Sequence, residues 1–280
     1  MAQKWEEFEN ECYEQLKSLY SEICKLEAYG QSDSTKADIK IITNNNNEFF
    51  IEVKDRNSQC CQFVLFPNEE KRCFDFSDKN KVSLTENCKS IIEYMNNHFD
   101  YYKKVSTKDL PINVDKEILY GLVHDFYTIK NVKYFMTKGS EYIVFPINKF
   151  SEYFDIEAVY RKKKSGSSEP NEKNNNKEII KLLNNEKIDY DLEYVKVDKK
   201  TRCFIHMDNN FDKIRLIGDY YTYQFKNNKY SQRLPKERNY IFELRRLSNT
   251  SNPNVICQLT LKKDIQEQEH LKTFEKTIKE

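Results

Sequence analysis

The segment that most constrains the fold is a pair of short apolar runs joined by four consecutive asparagines. The first run contains Ile39, Ile41 and Ile42, the second is Phe49–Val53, and Asn44–Asn47 lie between them. β-Branched and aromatic residues favour strands, and asparagine is frequent in turns because it tolerates unusual backbone angles. The pattern therefore predicts a β-hairpin early in the chain.

A helix is predicted ahead of this hairpin, because apolar residues recur there at spacings of three and four. This stripe consists of Trp5, Phe8, Cys12, Leu16, Leu19 and Ile23. Glu9 follows Phe8 directly and lies about 40° from the centre of the stripe, at roughly 100° per residue. A carboxylate so close to a buried face needs a partner charge or a metal ion.

The rest of the chain alternates between helical and strand patterns, without an internal repeat. Helices are predicted at 87–102, 114–129 and 178–183, a hairpin at 132–137 and 141–145, strands at 63–66 (ending at Pro67), 155–160, 240–247 and 255–261, and a charged helix at the C-terminal end. The polar stretch 165–177 contains Gly and Pro and predicts a loop or a domain boundary. We expect a mixed α/β fold, and 280 residues are enough for two or three domains.

Composition favours a folded, cytoplasmic protein. Hydrophobic residues make up 38% of the chain and aromatic residues 14%, so core material is ample. No apolar run approaches the ~20 residues of a membrane helix, and the start of the sequence is acidic, without the apolar segment of a signal peptide. The eight cysteines include no CxxC pair, so a zinc site is not indicated and reduced thiols are expected.

The small net charge hides an asymmetry along the chain. Residues 1–110 contain 15 basic and 20 acidic residues, a net charge of −5, and residues 111–280 contain 31 and 25, a net charge of +6. An acidic first part and a basic second part suit a metal-dependent site beside an anion-binding surface. A chance fluctuation in a charge-rich chain is the alternative.

Three residues of the predicted hairpin form a candidate catalytic set. Glu52 and Lys54 are two apart on a strand, so their side chains leave the same face, and Asp38 opens the partner strand. Two carboxylates that face one point suit Mg²⁺, and an ammonium beside them can orient a water and offset charge on a phosphate. An exposed strand with a simple ion pair is the alternative interpretation.

These residues stand in a chain that resembles the PD-(D/E)xK nucleases. More narrowly, it is similar to the HhaI-like type II restriction endonucleases, which are related to the HinP1I- and MspI-like monomeric enzymes. The matching stretches are WEEFENEC at 5–12, GQSDSTKADI at 30–39, FFIEVK at 49–54, SQCCQFVLFPN at 58–68, YFMTKGSEYIVFPI at 134–147, YRKKKSGSS at 160–168 and LSNTSNPNVI at 247–256. Residues 171–235 match least.

The resemblance implies a restriction-endonuclease-like core, a mixed β-sheet flanked by helices, with added β-rich recognition and accessory domains. It implies hydrolysis of duplex DNA at a short palindrome, with GCGC as the family-level expectation. The cofactor would be Mg²⁺, with Mn²⁺ or Ca²⁺ substituting in vitro. The enzyme would be a monomer, accompanied in the cell by a DNA methyltransferase.

The resemblance also assigns roles within the candidate site. Asp38, Glu52 and the backbone at Val53 would bind metal, and Lys54 would be the catalytic lysine. Gln62 and Glu9 are expected to belong to the catalytic set, and Ser58 and Gln59 to contact DNA beside it. For Glu9, pairing with Lys36 or Lys54 remains the alternative.

Two further segments are candidates for DNA binding. The first is basic and then small and polar: Arg161, Lys163, Lys164, Ser165, Gly166 and Ser167. The second is rich in amides and hydroxyls: Ser248, Asn249, Thr250, Asn252 and Asn254. Lys and Arg can pair with guanine, and amides can read a base edge. A solvated charge run and a plain hairpin turn are the respective alternatives.

The predicted organisation has three parts. Residues 1–110 would form the catalytic domain, 111–170 with 236–280 the recognition domain, and 171–235 an accessory DNA-binding domain, with Arg202, Lys213, Arg215 and Arg233 as candidate phosphate contacts. A DNA-binding protein on an inactive nuclease fold and a nicking or repair nuclease are the alternative functions. The intact catalytic set argues against the inactive fold.

Overall fold

The structure, a computed structural model, describes residues 4–29, 36–164, 167–168, 170, 176–197, 200–208, 215–227 and 240–280. These residues fall into two compact units. The larger contains the described residues up to 162 and those from 253 onward, and the smaller spans 163–252. The division of function into three parts along the chain stays a prediction.

The described residues contain seven α-helices and sixteen strands. The helices are α1 Lys4–Tyr20, α2 Glu86–Asn97, α3 Phe99–Tyr102, α4 Lys116–Thr128, α5 Phe150–Tyr153, α6 Asn176–Asn185 and α7 Gln268–Lys279. The strands are β1 Lys25–Ala28, β2 Ile39–Ile42, β3 Glu48–Val53, β4 Asn57–Asn68, β5 Cys73–Phe76, β6 Leu110–Ile112, β7 Val132–Lys138, β8 Tyr142–Pro146, β9 Phe154–Lys164, β10 Ser167–Ser168, β11 Tyr190–Val197, β12 Lys200–Met207, β13 Arg215–Ile217, β14 Tyr221–Lys226, β15 Tyr240–Ser248 and β16 Ser251–Leu261.

The first sheet of the larger unit has the strand order β1-β2-β3-β7-β8. The predicted hairpin is confirmed: β2 and β3 are antiparallel, with Ile39 opposite Ile51. β3 then pairs in parallel with β7, which places Glu52 opposite Phe135. Both faces of this sheet are covered. Helices α1 and α7 pack on one face and α4 on the other, because apolar side chains alternate along the strands.

The second sheet of the larger unit has the order β5-β4-β16-β9-β6. The prediction that the strand at 63–66 ends at Pro67 is wrong, since β4 continues to Asn68 and Pro67 pairs with Phe74 of β5. The pairing of β4 with β16 reaches only to Val64, so Pro67 has no partner on β16. The backbone N–H that proline lacks is not needed there.

The smaller unit is a sheet of order β11-β12-β15-β14-β13, with β10 paired to β15. One face packs against α6 through Ile179 and Leu183. The aromatic residues of this segment contribute to that core, as in the burial of Tyr223.

Two details of the predicted helices are wrong. Helix α1 ends at Tyr20, before Ile23, and Leu19 and Trp5 are 58% and 39% exposed. Its buried residues follow a spacing of four through Cys12 and Leu16 to Tyr20, and this stripe packs against the first sheet and α7. The helix predicted at 87–102 is broken at His98, which separates α2 from α3.

All eight cysteines are free, in agreement with the expected reduced thiols. Within the described ranges, no helix is long and apolar enough to cross a membrane.

Candidate active site

A cleft of about 690 Å³ opens in the larger unit at the end of β3. Helix α1 lines it on one side, and strands β4 and β16 line it on another. Its lining residues are Trp5, Phe8, Glu9, Val53, Lys54, Asp55, Asn57, Ser58, Gln59, Gln258, Leu259 and Thr260. Residues far apart in the sequence thus meet beside the predicted catalytic lysine.

Glu52 lies on β3, and Lys54 is the first residue after the end of this strand. The side chains of Glu52 and Lys54 lie on the same side of the sheet. The Lys54 ammonium donates a hydrogen bond of 2.5 Å to Oε1 of Glu52, and the two side chains are 13% and 7% exposed. The backbone N–H of Lys54 donates to the carbonyl of Met136 over 2.9 Å, which extends the pairing with β7. The predicted shared face of Glu52 and Lys54 is therefore present.

Asp38 precedes β2 and meets the end of β3 across the hairpin. Its Oδ2 accepts a hydrogen bond of 2.7 Å from the backbone N–H of Val53. Burial, and then the charge of Glu52, raise the pKa of Asp38 to about 7, against the lowering effects of Lys54 and this hydrogen bond.

Glu9 reaches the same cleft from α1. The pKa of Glu9 is raised to about 8, mainly by burial and next by the negative charge of Asp38. The Lys54 ammonium acts in the opposite direction and lowers this pKa. The Nζ of Lys36 lies 4.9 Å from the centre of the Tyr29 ring. Of the two alternative partners, Lys54 is the one that acts electrostatically on Glu9.

The ammonium of Lys54 stays charged. Burial favours its neutral form, but the carboxylates of Glu52 and Asp38 outweigh this effect and raise its pKa above the ordinary value. The ring of buried Tyr127, on α4, lies 5.6 Å from Lys54 Nζ and 5.2 Å from the Nζ of Lys130. Sequence reasoning missed Tyr127 and Lys130, which lies just after α4, because no local pattern links either residue to the hairpin.

The residues present fit a bound metal ion. Oε2 of Glu52 is buried and has no hydrogen-bond partner, which is costly unless a cation is bound there. Among the described residues, no group of three or more His, Cys, Asp or Glu side chains could hold a metal. The candidate ligands are therefore two carboxylates, of Asp38 and Glu52, and a backbone carbonyl such as that of Val53, a set that leaves several positions for water.

The predicted residues of β4 divide into two groups. Ser58 and Gln59 line the cleft, whereas Gln62 is exposed and is not among the lining residues. Gln258 of β16 was not predicted. It stands directly opposite Gln59 in the antiparallel register, and it lines the same cleft.

The basic residues Arg161, Lys163 and Lys164 continue β9, so this strand runs past the predicted end at 160. Arg161 Nη1 forms an ion pair of 3.0 Å with Oδ1 of Asp109. Lys164 is exposed and Lys163 half-buried. The residues that complete the predicted segment are less fully described: Ser165 and Gly166 lie outside the described residues, and only the backbone of Ser167 is described, opposite Leu247.

The amide-rich segment joins β15 of one sheet to β16 of another, so it is not a simple hairpin turn. The side chain of Asn249 donates to the carbonyl of Gly218 over 2.8 Å and accepts from Thr222 Oγ1 over 2.6 Å. Ser248 Oγ and Thr250 Oγ1 are 2.7 Å apart. The two remaining candidates are inside the strand: Asn252 is half-buried and Asn254 is buried.

Of the candidate phosphate contacts in the smaller unit, only Arg215 is exposed within the described residues. Arg202 is largely buried and forms an ion pair of 2.6 Å with Glu243. Lys213 and Arg233 lie outside the described residues.

Comparison with known proteins gives one strong similarity. The solved structure of HhaI endonuclease in complex with DNA matches with a TM-score of 0.80 and 33% sequence identity, over 98% of this chain and 99% of that chain. No family model matches the chain, and no curated protein matches it.

Proposed function

Since this chain belongs to the HhaI-like family of type II restriction endonucleases, we propose that it uses Mg²⁺ to cleave duplex DNA at a short palindrome. GCGC is the family-level expectation for that site. The solved relative is bound to DNA, which supports a double-stranded substrate for this site-specific deoxyribonuclease.

One observation carries the proposal of a metal-dependent reaction. Lys54 donates to one oxygen of Glu52, while the other oxygen is buried without a hydrogen-bond partner. Asp38 stands beside Glu52 across the hairpin, so a second carboxylate faces the same region. The negative charge there exceeds what Lys54 neutralises, and a divalent cation would balance it.

Each residue then has a distinct task. Mg²⁺ bound there would activate water and offset negative charge on the phosphate. Asp38 and Glu52 would hold the cation, and the hydrogen bond from the Val53 N–H fixes the Asp38 carboxylate. Glu52 also orients Lys54, whose ammonium stabilises the charge that builds up on the phosphate during hydrolysis. Glu9 lines the cleft and interacts electrostatically with Asp38 and Lys54, as a supporting carboxylate.

Digestion of mapped plasmid DNA tests this function. With Mg²⁺ the protein should give discrete fragments whose sequenced ends fall at one palindrome, and chelation of the metal should stop cleavage. Equal cleavage in the chelator would overturn the metal-dependent reaction. Fragment ends scattered over unrelated sequences would overturn the palindromic site.

We further propose a cytoplasmic monomer whose host protects its own sites with a companion DNA methyltransferase. The single catalytic set in the described residues supports sequential cleavage of the two strands. A supercoiled plasmid should then accumulate as a nicked circle before it becomes linear. Direct linearisation, together with a dimeric mass in solution, would contradict the monomer.

A further inference from the structure

A polar row crosses one face of the second sheet of the larger unit, and part of it lines the catalytic cleft. Gln59 on β4 and Gln258 on β16 are directly opposite each other, so both side chains leave the same face. β9, with Arg161, is the next strand, and Asp109 immediately precedes β6, the strand after that.

Asp109 joins two members of this row. Its Oδ1 accepts from Arg161 Nη1 over 3.0 Å, and its Oδ2 accepts from Gln258 Nε2 over 3.0 Å. Gln258 also lines the catalytic cleft, whereas Asp109 is not among the lining residues. The carboxylate therefore holds the Gln258 side chain from outside the cleft.

The hydrogen bond between Gln258 and Asp109 determines which end of the Gln258 amide faces the cleft. An ionised carboxylate only accepts hydrogen bonds, so the amide nitrogen of Gln258 must be the atom turned toward Asp109. The opposite end of the amide is the carbonyl oxygen, which is an acceptor. Arg161 balances the charge of Asp109, so the acid can stand near DNA without repelling phosphate.

An acceptor in a DNA cleft has a restricted choice of partners. Phosphate oxygens are themselves acceptors, whereas the base donors are the amino groups of cytosine and adenine in the major groove and of guanine in the minor groove. We propose that Gln258 reads the exocyclic amino group of one base beside the cleaved bond, and that Asp109 is the positioning residue that fixes its amide. This inference rests on the proposed function and adds a specificity residue to it.

The test removes the same hydrogen bond from either side. Cognate duplexes are prepared in which one cytosine, adenine or guanine amino group at a time is replaced by hydrogen, and kcat/KM is measured for each. For the wild type, one such replacement should reduce kcat/KM about 5- to 150-fold, the range for an acceptor left unpaired. In the Gln258→Met variant, the same replacement should cost nothing further, because the acceptor is already absent.

A second variant isolates the positioning role. In Asp109→Asn the new amide can donate, so the Gln258 amide is free to turn around, and the penalty for that base analogue should shrink although Gln258 is unchanged. Asp100→Asn is the matched control, since it breaks a surface ion pair of 2.6 Å with Arg72 in the same unit. Its response to every analogue should equal that of the wild type.

Two results would overturn the inference, and they can be told apart. If wild type cleaves the cognate duplex but Gln258→Met shows the wild-type penalty at every analogue, Gln258 reads no amino group while the proposed function stands. If wild type cleaves no duplex, the proposed function is wrong, and this inference is wrong as well. A fall in stability common to the variants would leave the pattern across analogues unchanged, so it cannot imitate the expected result.

Discussion

The side chain of Lys54 binds one oxygen of Glu52 and leaves the other oxygen buried and unpaired. The two residues come from the end of a single strand, so the strand backbone fixes their separation. The carboxylate can therefore position the lysine and bind a cation at the same time. This dual use is the basis of the mechanism proposed for the protein.

Replacement of Lys54 should affect catalysis more than binding. Lys54→Met removes the charge that stabilises the reacting phosphate, so kcat should fall about 100- to 1,000-fold. Single-turnover cleavage under saturating enzyme measures this loss, and titration of the duplex in Ca²⁺ should give an affinity near that of the wild type.

Lys40→Met is the matched control for that variant. Lys40 lies on the same hairpin and forms an ion pair of 2.7 Å with Glu48, away from the cleft. Its loss should leave kcat unchanged. Equal losses in both variants would indicate a general weakening of the hairpin instead of a catalytic lysine.

The aromatic ring of Tyr127 should matter for the rate, and its hydroxyl should matter less. A cation beside a ring gains about 0.5–2 kcal/mol, so Tyr127→Leu should reduce kcat about 2- to 30-fold by releasing the Lys54 ammonium. Tyr127→Phe keeps the ring and should remain close to wild type. If the Phe variant lost as much activity as the Leu variant, the ring contact would not be the cause.

The raised pKa values of Asp38, about 7, and Glu9, about 8, predict how stability depends on pH. In the metal-free protein, the folded state binds these protons more tightly than the unfolded state, whose carboxyls titrate near pH 4. The free energy of unfolding should therefore fall as the pH rises from about 4 to about 8.

Urea unfolding in a chelator measures this slope, and Asp38→Asn should flatten it. Mg²⁺ binds the deprotonated carboxylates, so it should stabilise the protein most at the upper end of this range. A slope that is unchanged in Asp38→Asn would contradict the assignment of the titrating group.

Lys164 and Arg215 are both exposed and basic, yet they should act differently. If Lys164 reads a base, Lys164→Ala should weaken binding of the cognate duplex about 5- to 150-fold and spare a scrambled one. If Arg215 contacts phosphate, Arg215→Ala should weaken both duplexes alike and reduce the salt slope by about one. Binding titrations at two salt concentrations separate these outcomes, and equal losses on both duplexes for Lys164→Ala would make it a phosphate contact.

The parts of the site that the sequence predicted are those encoded locally. The spacing of Glu52 and Lys54 within one strand determines their shared face, and the asparagine turn brings Asp38 to them. Both follow from strand periodicity over fewer than twenty residues. The partial burial of Glu9 was likewise predictable from helical periodicity.

The parts that the sequence did not predict depend on pairing between distant strands. Gln258 enters the cleft only because β16 lies against β4, about two hundred residues earlier in the chain. Tyr127 reaches Lys54 through the packing of α4 on the sheet, and the apolar pattern of α4 is equally compatible with other placements. Such registers are set by tertiary packing, which no short window of sequence contains.

Cleavage of mapped DNA by Glu52→Gln tests the central claim most directly, because this variant keeps the shape of the side chain and removes its charge. With Mg²⁺, wild type should cut at one palindrome, whereas Glu52→Gln should bind the same duplex and leave it intact. Cleavage by Glu52→Gln at the wild-type rate would contradict the assignment of Asp38, Glu52 and Lys54 as the catalytic set.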